Sequence, residues 1–147
     1  MIADPPAAQD AGTYNCAVDL LDRNLAARPQ KRAFVDDGGA WTYAELAARV
    51  DRAAGALLGL GLEHEHRIVL CLLDTIDFPT AFLGAIKAGI VPIPVNTLFK
   101  ADDYAYILAD SRAKAALVST ELLATFLDAA AKANWRGTIV LSDPRRA

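Results

Sequence analysis

The chain has 147 residues, 54% of them hydrophobic and 22% charged, which suits one compact domain with its own core and excludes a disordered or collagen-like polymer. Fifteen Lys and Arg stand against eighteen Asp and Glu, a net charge of −3 with the signs interspersed, so no basic stripe is available to attract nucleic acid. No stretch reaches the roughly 18 uninterrupted apolar residues of a membrane span, and MIADPPAAQDAG lacks the cationic and apolar regions of a secretory signal; the expectation is a cytoplasmic protein with a loose N-terminus over residues 1–13 and a folded unit over 14–147.

In chain order, Asn15 can cap a short amphipathic helix in which Val18, Leu21 and Leu25 recur at helical spacing, and Pro29 closes it. Residues 33–36 and 40–43 flank Asp37-Gly38-Gly39, the composition of a hairpin turn. Thr42 and Glu45 then form a T-x-x-E capping box. Behind it, Tyr43, Leu46, Ala47, Val50, Ala54, Leu57 and Leu58 share a helix face, with Gly59 and Gly61 as the stop.

RIVLCLL at 67–73 is apolar after its first residue and does not alternate, as expected of a strand covered on both faces of a parallel sheet. The spacing next predicts a helix over 77–88, a strand over 91–95, and a helix over 102–111 with Tyr104, Ile107 and Leu108 on one face. A strand over 115–119, a helix over 121–133 built on Leu122, Leu123, Phe126 and Leu127, and a strand over 138–141 complete the series. This alternation predicts an α/β fold: part of a doubly wound, mostly parallel sheet with helices on both faces, plus a small N-terminal hairpin.

The strand at 91–95 carries Pro92 and Pro94. Residues i and i+2 aim their N–H groups at the same neighbour, so two donors are missing on one side while Val91, Ile93 and Val95 keep theirs on the other. The segment is expected to pair on one side only, with Gly89 as the left-handed stop of the helix before it.

Side chains that could carry chemistry are few. Cys16 and Cys71 lack CxxC spacing, and Cys71 sits in an apolar run, so both are expected to be structural. His64 and His66 in EHEHR have no third ligand nearby and fit a solvated loop better than a zinc site. Gly38-Gly39 belong to a hairpin and Gly55, Gly59 and Gly61 to the far end of a helix, so none forms a phosphate loop at a helix N-terminus. Asp74, Asp77, Asp102 and Asp103 fall where helices begin, positions the helix dipole favours by itself. No catalytic residue and no metal ligand can be nominated from the residues alone.

Three segments carry a resemblance: AWTYAELAARVDRAAGALLGLGL, DFPTAFLGAIKAGIVPIPVNTLF and DYAYILADSRAKAALVS. They resemble the opening of the adenylate-forming, AMP-binding superfamily of acyl-CoA synthetases. YNCAVDLLDRNL at 14–25, and LDTIDFPTAFLGAIKAG taken with VNTLFKADDYAYILADSRA, are most similar to benzoate-CoA ligase and related aryl-CoA ligases, whereas T-Y-x-E-L and G-x-x-P are shared across the superfamily.

The resemblance covers about residues 14–142. It implies an acid–thiol ligase that uses ATP and Mg2+ to turn an aromatic carboxylate into an acyl-adenylate, and coenzyme A to displace AMP. It also leaves room for a homodimer. The family's phosphate loop, its AMP- and magnesium-contacting segment, its ribose-binding aspartate and its C-terminal lysine do not occur in these residues, so the chain is expected to be an N-terminal portion, inactive alone.

One site residue carries over. In several family members a basic residue two positions before the glycine of the helix-to-strand turn lies near the 3'-phosphate of coenzyme A, and in IKAG that position is Lys87. Where relatives carry arginine, lysine keeps the charge and loses the bidentate fork; a lysine in a helix's last turn is also what the helix dipole favours. The alternatives are a non-catalytic α/β interaction or oligomerisation module and the N-terminal part of a fatty-acyl-CoA ligase.

Overall fold

The structure is a computed structural model and describes residues 14–143; the loose N-terminus expected over 1–13 lies outside the described residues. Eleven helices and strands follow one another as α1 (Cys16–Ala27), β1 (Arg32–Asp36), β2 (Gly39–Thr42), α2 (Tyr43–Gly59), β3 (Arg67–Cys71), α3 (Asp77–Lys87), β4 (Val91–Pro94), α4 (Ala101–Ser111), β5 (Ala115–Ser119), α5 (Leu123–Lys132) and β6 (Thr138–Ser142). Strands β1 and β2 form the expected antiparallel hairpin. The other four make an all-parallel sheet in the order β4-β3-β5-β6.

Alternation along β3 explains why both its faces are apolar. Ile68, Leu70 and Leu72 pack with Leu57 of α2 and with Ala81 and Ala85 of α3 on one side. Val69 and Cys71 pack with Tyr104 and Leu108 of α4 and Phe126 of α5 on the other. A third cluster, Leu21, Leu46, Val50 and Ile76 with Phe34 and Trp41 at its rim, fastens α1 and the hairpin to α2.

The chain steps outward from β3 to β4, then returns across β3 to β5, so direction reverses between β3 and β5. In open parallel sheets such a reversal opens a crevice at the carboxyl ends of the strands.

Strand β4 is an edge, as its prolines require. The N–H of Val91 donates to His66 O at 2.8 Å and that of Val95 to Leu70 O at 3.1 Å, both toward β3, and Ile93 lies between them in the same alternation. Pro92 and Pro94 occupy the open side, where a missing donor costs nothing.

Three expectations need correction. The strand at 67–73 ends at Cys71, because the Leu73 N–H turns to the Ser119 hydroxyl at 3.0 Å instead of a ladder carbonyl. Leu58 and Leu127 are half exposed: consecutive helical residues point about 100° apart, and Leu57 and Phe126 take the inward positions. The helix expected from Glu121 opens as a short 3-10 turn over Thr120–Leu122, and its inner face is finished by Ala129 and Ala130.

Candidate functional site

Lys87 is the last residue of α3, and three local devices fix where it stands. The first is the helix stop. Gly89 has φ +74°, its N–H donates to Ile86 O at 3.0 Å, and the Ile90 N–H donates to Ala85 O at 2.8 Å, the paired bonds of a Schellman turn. A Cβ at Gly89 would meet the ring of the exposed His64, and the positive φ itself favours glycine there.

The second device is Asn15. Its Oδ1 accepts from the N–H groups of Ala17 and Val18 at 3.1 and 3.2 Å, which caps α1. Its Nδ2 donates to Ile86 O at 2.7 Å and to Lys87 O at 3.4 Å. One side chain thus joins the start of α1 to the end of α3 and occupies carbonyls that a terminal lysine would otherwise serve.

The third is the close approach of α3 to α2. A Cβ at Gly84 would stand 2.8 Å from Ala53 Cβ and 3.3 Å from Val50 O and Ala54 N. The same contact brings Lys87 Nζ directly onto Asp51 Oδ1 of α2. The lysine side chain is 33% exposed and the aspartate 60%, so both heads meet solvent.

His64 and His66 border this corner. His66 Nδ1 accepts from the Glu63 N–H at 3.0 Å, Glu65 turns at φ 66°, and its N–H donates to Gly89 O at 2.9 Å. The EHEHR loop therefore shapes the turn against Gly89.

A second polar cluster lies at the carboxyl ends of the strands. Asp77 does more than favour the α3 dipole: its Oδ1 pairs with Arg49 Nη2 of α2 at 2.7 Å, and its Oδ2 accepts from Ser142 Oγ of β6 at 2.7 Å. Arg49 also stacks on the Trp41 ring, 4.8 Å from its centroid. Asp36 of the hairpin accepts from the Ile76 N–H at 2.7 Å and the Gly38 N–H at 2.9 Å. Burial opposes ionisation of Asp36, but these donors and the Trp41 indole outweigh it and hold its carboxyl below the usual range.

This cluster ties the hairpin, α2, α3 and β6 into one frame beside a cavity of about 180 Å³ lined by Leu72, Thr80, Ala81, Leu117 and Val140. Both oxygens of Asp77 are engaged, and Cys71 is not an activated nucleophile. Cys71 is fully buried, and burial pushes its thiol up. Burial likewise raises the neighbouring Tyr104 phenol, whose hydroxyl donates to Asn96 O at 2.8 Å. What this end can do chemically is position, not react.

The structure keeps the two clusters apart. Asp77 opens α3 and Lys87 closes it, a separation of about 15 Å at 1.5 Å per residue. The sequence pointed to Lys87. It placed Asn15 and Asp77 at helix starts, but it did not point to the contacts Asn15–Lys87, Asp51–Lys87, Arg49–Asp77 and Asp77–Ser142, whose partners lie 28 to 72 residues apart and show no local pattern.

Residues 21–146 match the family described as AMP-binding enzyme. A benzoate–CoA ligase of Thauera aromatica is 53% identical over 124 residues, covering 83% of this chain and 24% of that protein. A 4-hydroxybenzoate–CoA/benzoate–CoA ligase of Rhodopseudomonas palustris is 47% identical over 128 residues, covering 86% and 24%. Among solved structures, a benzoate CoA ligase from Burkholderia xenovorans superimposes with a TM-score of 0.83 at 40% identity, over 90% of this chain and 27% of that one. The chain spans about a quarter of the length of these relatives.

Proposed function

The chain belongs to the family of AMP-binding enzymes, and from that premise we propose that it is the N-terminal α/β part of an ATP-dependent aryl-carboxylate CoA ligase, a cytoplasmic enzyme acting on benzoate or a close analogue. The observation that carries this reading is the 53% identity to a benzoate–CoA ligase, sustained over 124 residues.

The reaction follows from the weakness of a carboxylate as an electrophile. One carboxylate oxygen attacks the α-phosphorus of ATP and pyrophosphate leaves. The thiol of coenzyme A then attacks the acyl carbon and AMP leaves with the bonding electrons, giving the thioester. Magnesium supplies charge neutralisation of the phosphates in such a transfer. Among the described residues no group of three or more His, Cys, Asp or Glu side chains is arranged to hold a metal ion, so no ligand for it is assigned in this chain.

The chain's own contribution is positional. The carboxyl-end bridge of Arg49, Asp77 and Ser142 holds the sheet and its helices in register. At the other end of α3, Lys87 presents an ammonium group on a fixed helix terminus, suited to the 3'-phosphate of coenzyme A as a mobile point charge.

In the complete ligase, Lys87→Ala is expected to raise the KM for coenzyme A by about three- to tenfold, as for a partly solvated charge-assisted hydrogen bond of roughly 0.7–1.4 kcal/mol. Carboxylate-dependent exchange of pyrophosphate into ATP should proceed at the parental rate. Parental constants in both half-reactions would remove Lys87 from the coenzyme site.

A further inference from the structure

We propose that Asp51 tunes recognition of the coenzyme A phosphate by competing with it for Lys87; this rests on the reading of Lys87 given above. The two residues are 36 positions apart, on different helices, and their backbones are set by the tight α2–α3 contact at Gly84 and by the turn at Gly89. Each side chain can move only through its own rotamers.

The carbonyls nearest Lys87 are already served. Asn15 donates to Ile86 O and Lys87 O, while the backbone N–H of Gly89 also reaches Ile86 O. The ammonium group is therefore not spent on closing the helix, and its ion-pair partner among the described residues is Asp51. A phosphate that approaches Lys87 meets a cation whose charge is already balanced, and it meets a like charge beside it. It must displace the carboxylate or share the ammonium with it, and either weakens binding.

The pair has little structural purpose to set against this role. It is solvent-facing on both sides, and such pairs contribute little to folding, whereas packing at Gly84 already holds the helices together. Asp51→Asn keeps the size and polarity of the side chain and removes the competing charge, so the fold is retained.

The test compares coenzyme A with 3'-dephospho-coenzyme A in the complete ligase, reading the ratio of their kcat/KM values for the parent, Asp51→Asn, Lys87→Ala and the double variant. Asp51→Asn is expected to raise the ratio about two- to fivefold, the scale of a solvent-facing ion pair, and to leave it where Lys87→Ala alone puts it once Lys87 is gone. A ratio unchanged or lowered by Asp51→Asn, in an enzyme where Lys87→Ala does lower it, overturns the role of Asp51 and leaves Lys87 standing. An equal gain in the Lys87→Ala background shows that Asp51 acts through its own field and also overturns the competition. A ratio insensitive to Lys87→Ala removes the reading of Lys87, and this inference with it.

Discussion

Replacing Phe126 by alanine should lower the unfolding free energy by about 3–5 kcal/mol, and urea unfolding of parent and variant side by side will measure it. Phe126 is fully buried on the sheet face covered by α4 and α5. Its ring sits 6.0 Å from that of Tyr104 and 6.1 Å from that of Trp135, the latter edge to face, so truncation opens a cavity and also removes both aromatic contacts.

The neighbours cannot close that cavity easily. The Tyr104 hydroxyl is fixed on Asn96 O, and the Trp135 indole N–H on Ala113 O at 2.7 Å. Phe126→Leu keeps most of the volume and should cost less than about 1.5 kcal/mol. If alanine and leucine behaved alike, the tight packing described for this face would be wrong.

Gly84→Val is expected to cost about 3 kcal/mol, at the upper end of overpacking penalties. A single added Cβ already falls 2.8 Å from Ala53 Cβ, and Ala53 has no rotamer with which to withdraw; the other two neighbours, Val50 O and Ala54 N, are backbone. Relief requires α3 to move away from α2. Higher helix propensity than glycine returns only a few tenths of a kcal/mol for valine.

A double-mutant cycle locates the cause. Gly84→Ala and Ala53→Gly should each destabilise alone, while the double variant loses less than the sum, because removing one Cβ makes room for the other. Strict additivity would show that the helices do not meet there. Since the same contact brings Lys87 onto Asp51, Gly84→Val should also disturb that pair.

Much of this fold was legible because its signals are local. Thr42 and Glu45 stand in reciprocal contact, with the Glu45 N–H on Thr42 Oγ1 at 3.2 Å and the Thr42 N–H on Glu45 Oε2 at 2.7 Å. The prolines at 92 and 94 foretold an edge strand because a missing donor is a property of the residue itself. Helix faces were legible to within one residue: pattern alone cannot decide between Leu57 and Leu58, or between Phe126 and Leu127, until a neighbour claims one of them.

The site was less legible for a different reason. Lys87 stood out through the IKAG context, which is contiguous, but its environment is assembled from distant parts of the chain: Asp51 on α2, Asn15 ahead of α1, and His64 on the loop before β3. Asp77 was expected only to favour a helix dipole, since nothing in its surroundings reveals Arg49, 28 residues earlier, or Ser142, 65 residues later. The close approach at Gly84 leaves no local signal either, because the residue it makes room for, Ala53, belongs to another helix.

We propose above that this α/β unit serves an aryl-carboxylate CoA ligase. The most direct test is carboxylate-dependent exchange of labelled pyrophosphate into ATP by the complete enzyme, run with benzoate, hydroxybenzoates, and short- and long-chain fatty acids as alternative substrates. Exchange that depends on benzoate or a hydroxybenzoate, with a higher kcat/KM than any fatty acid, followed by thioester formation when coenzyme A is added, is the predicted result. Absence of carboxylate-dependent exchange, or a preference for fatty acids, would contradict it.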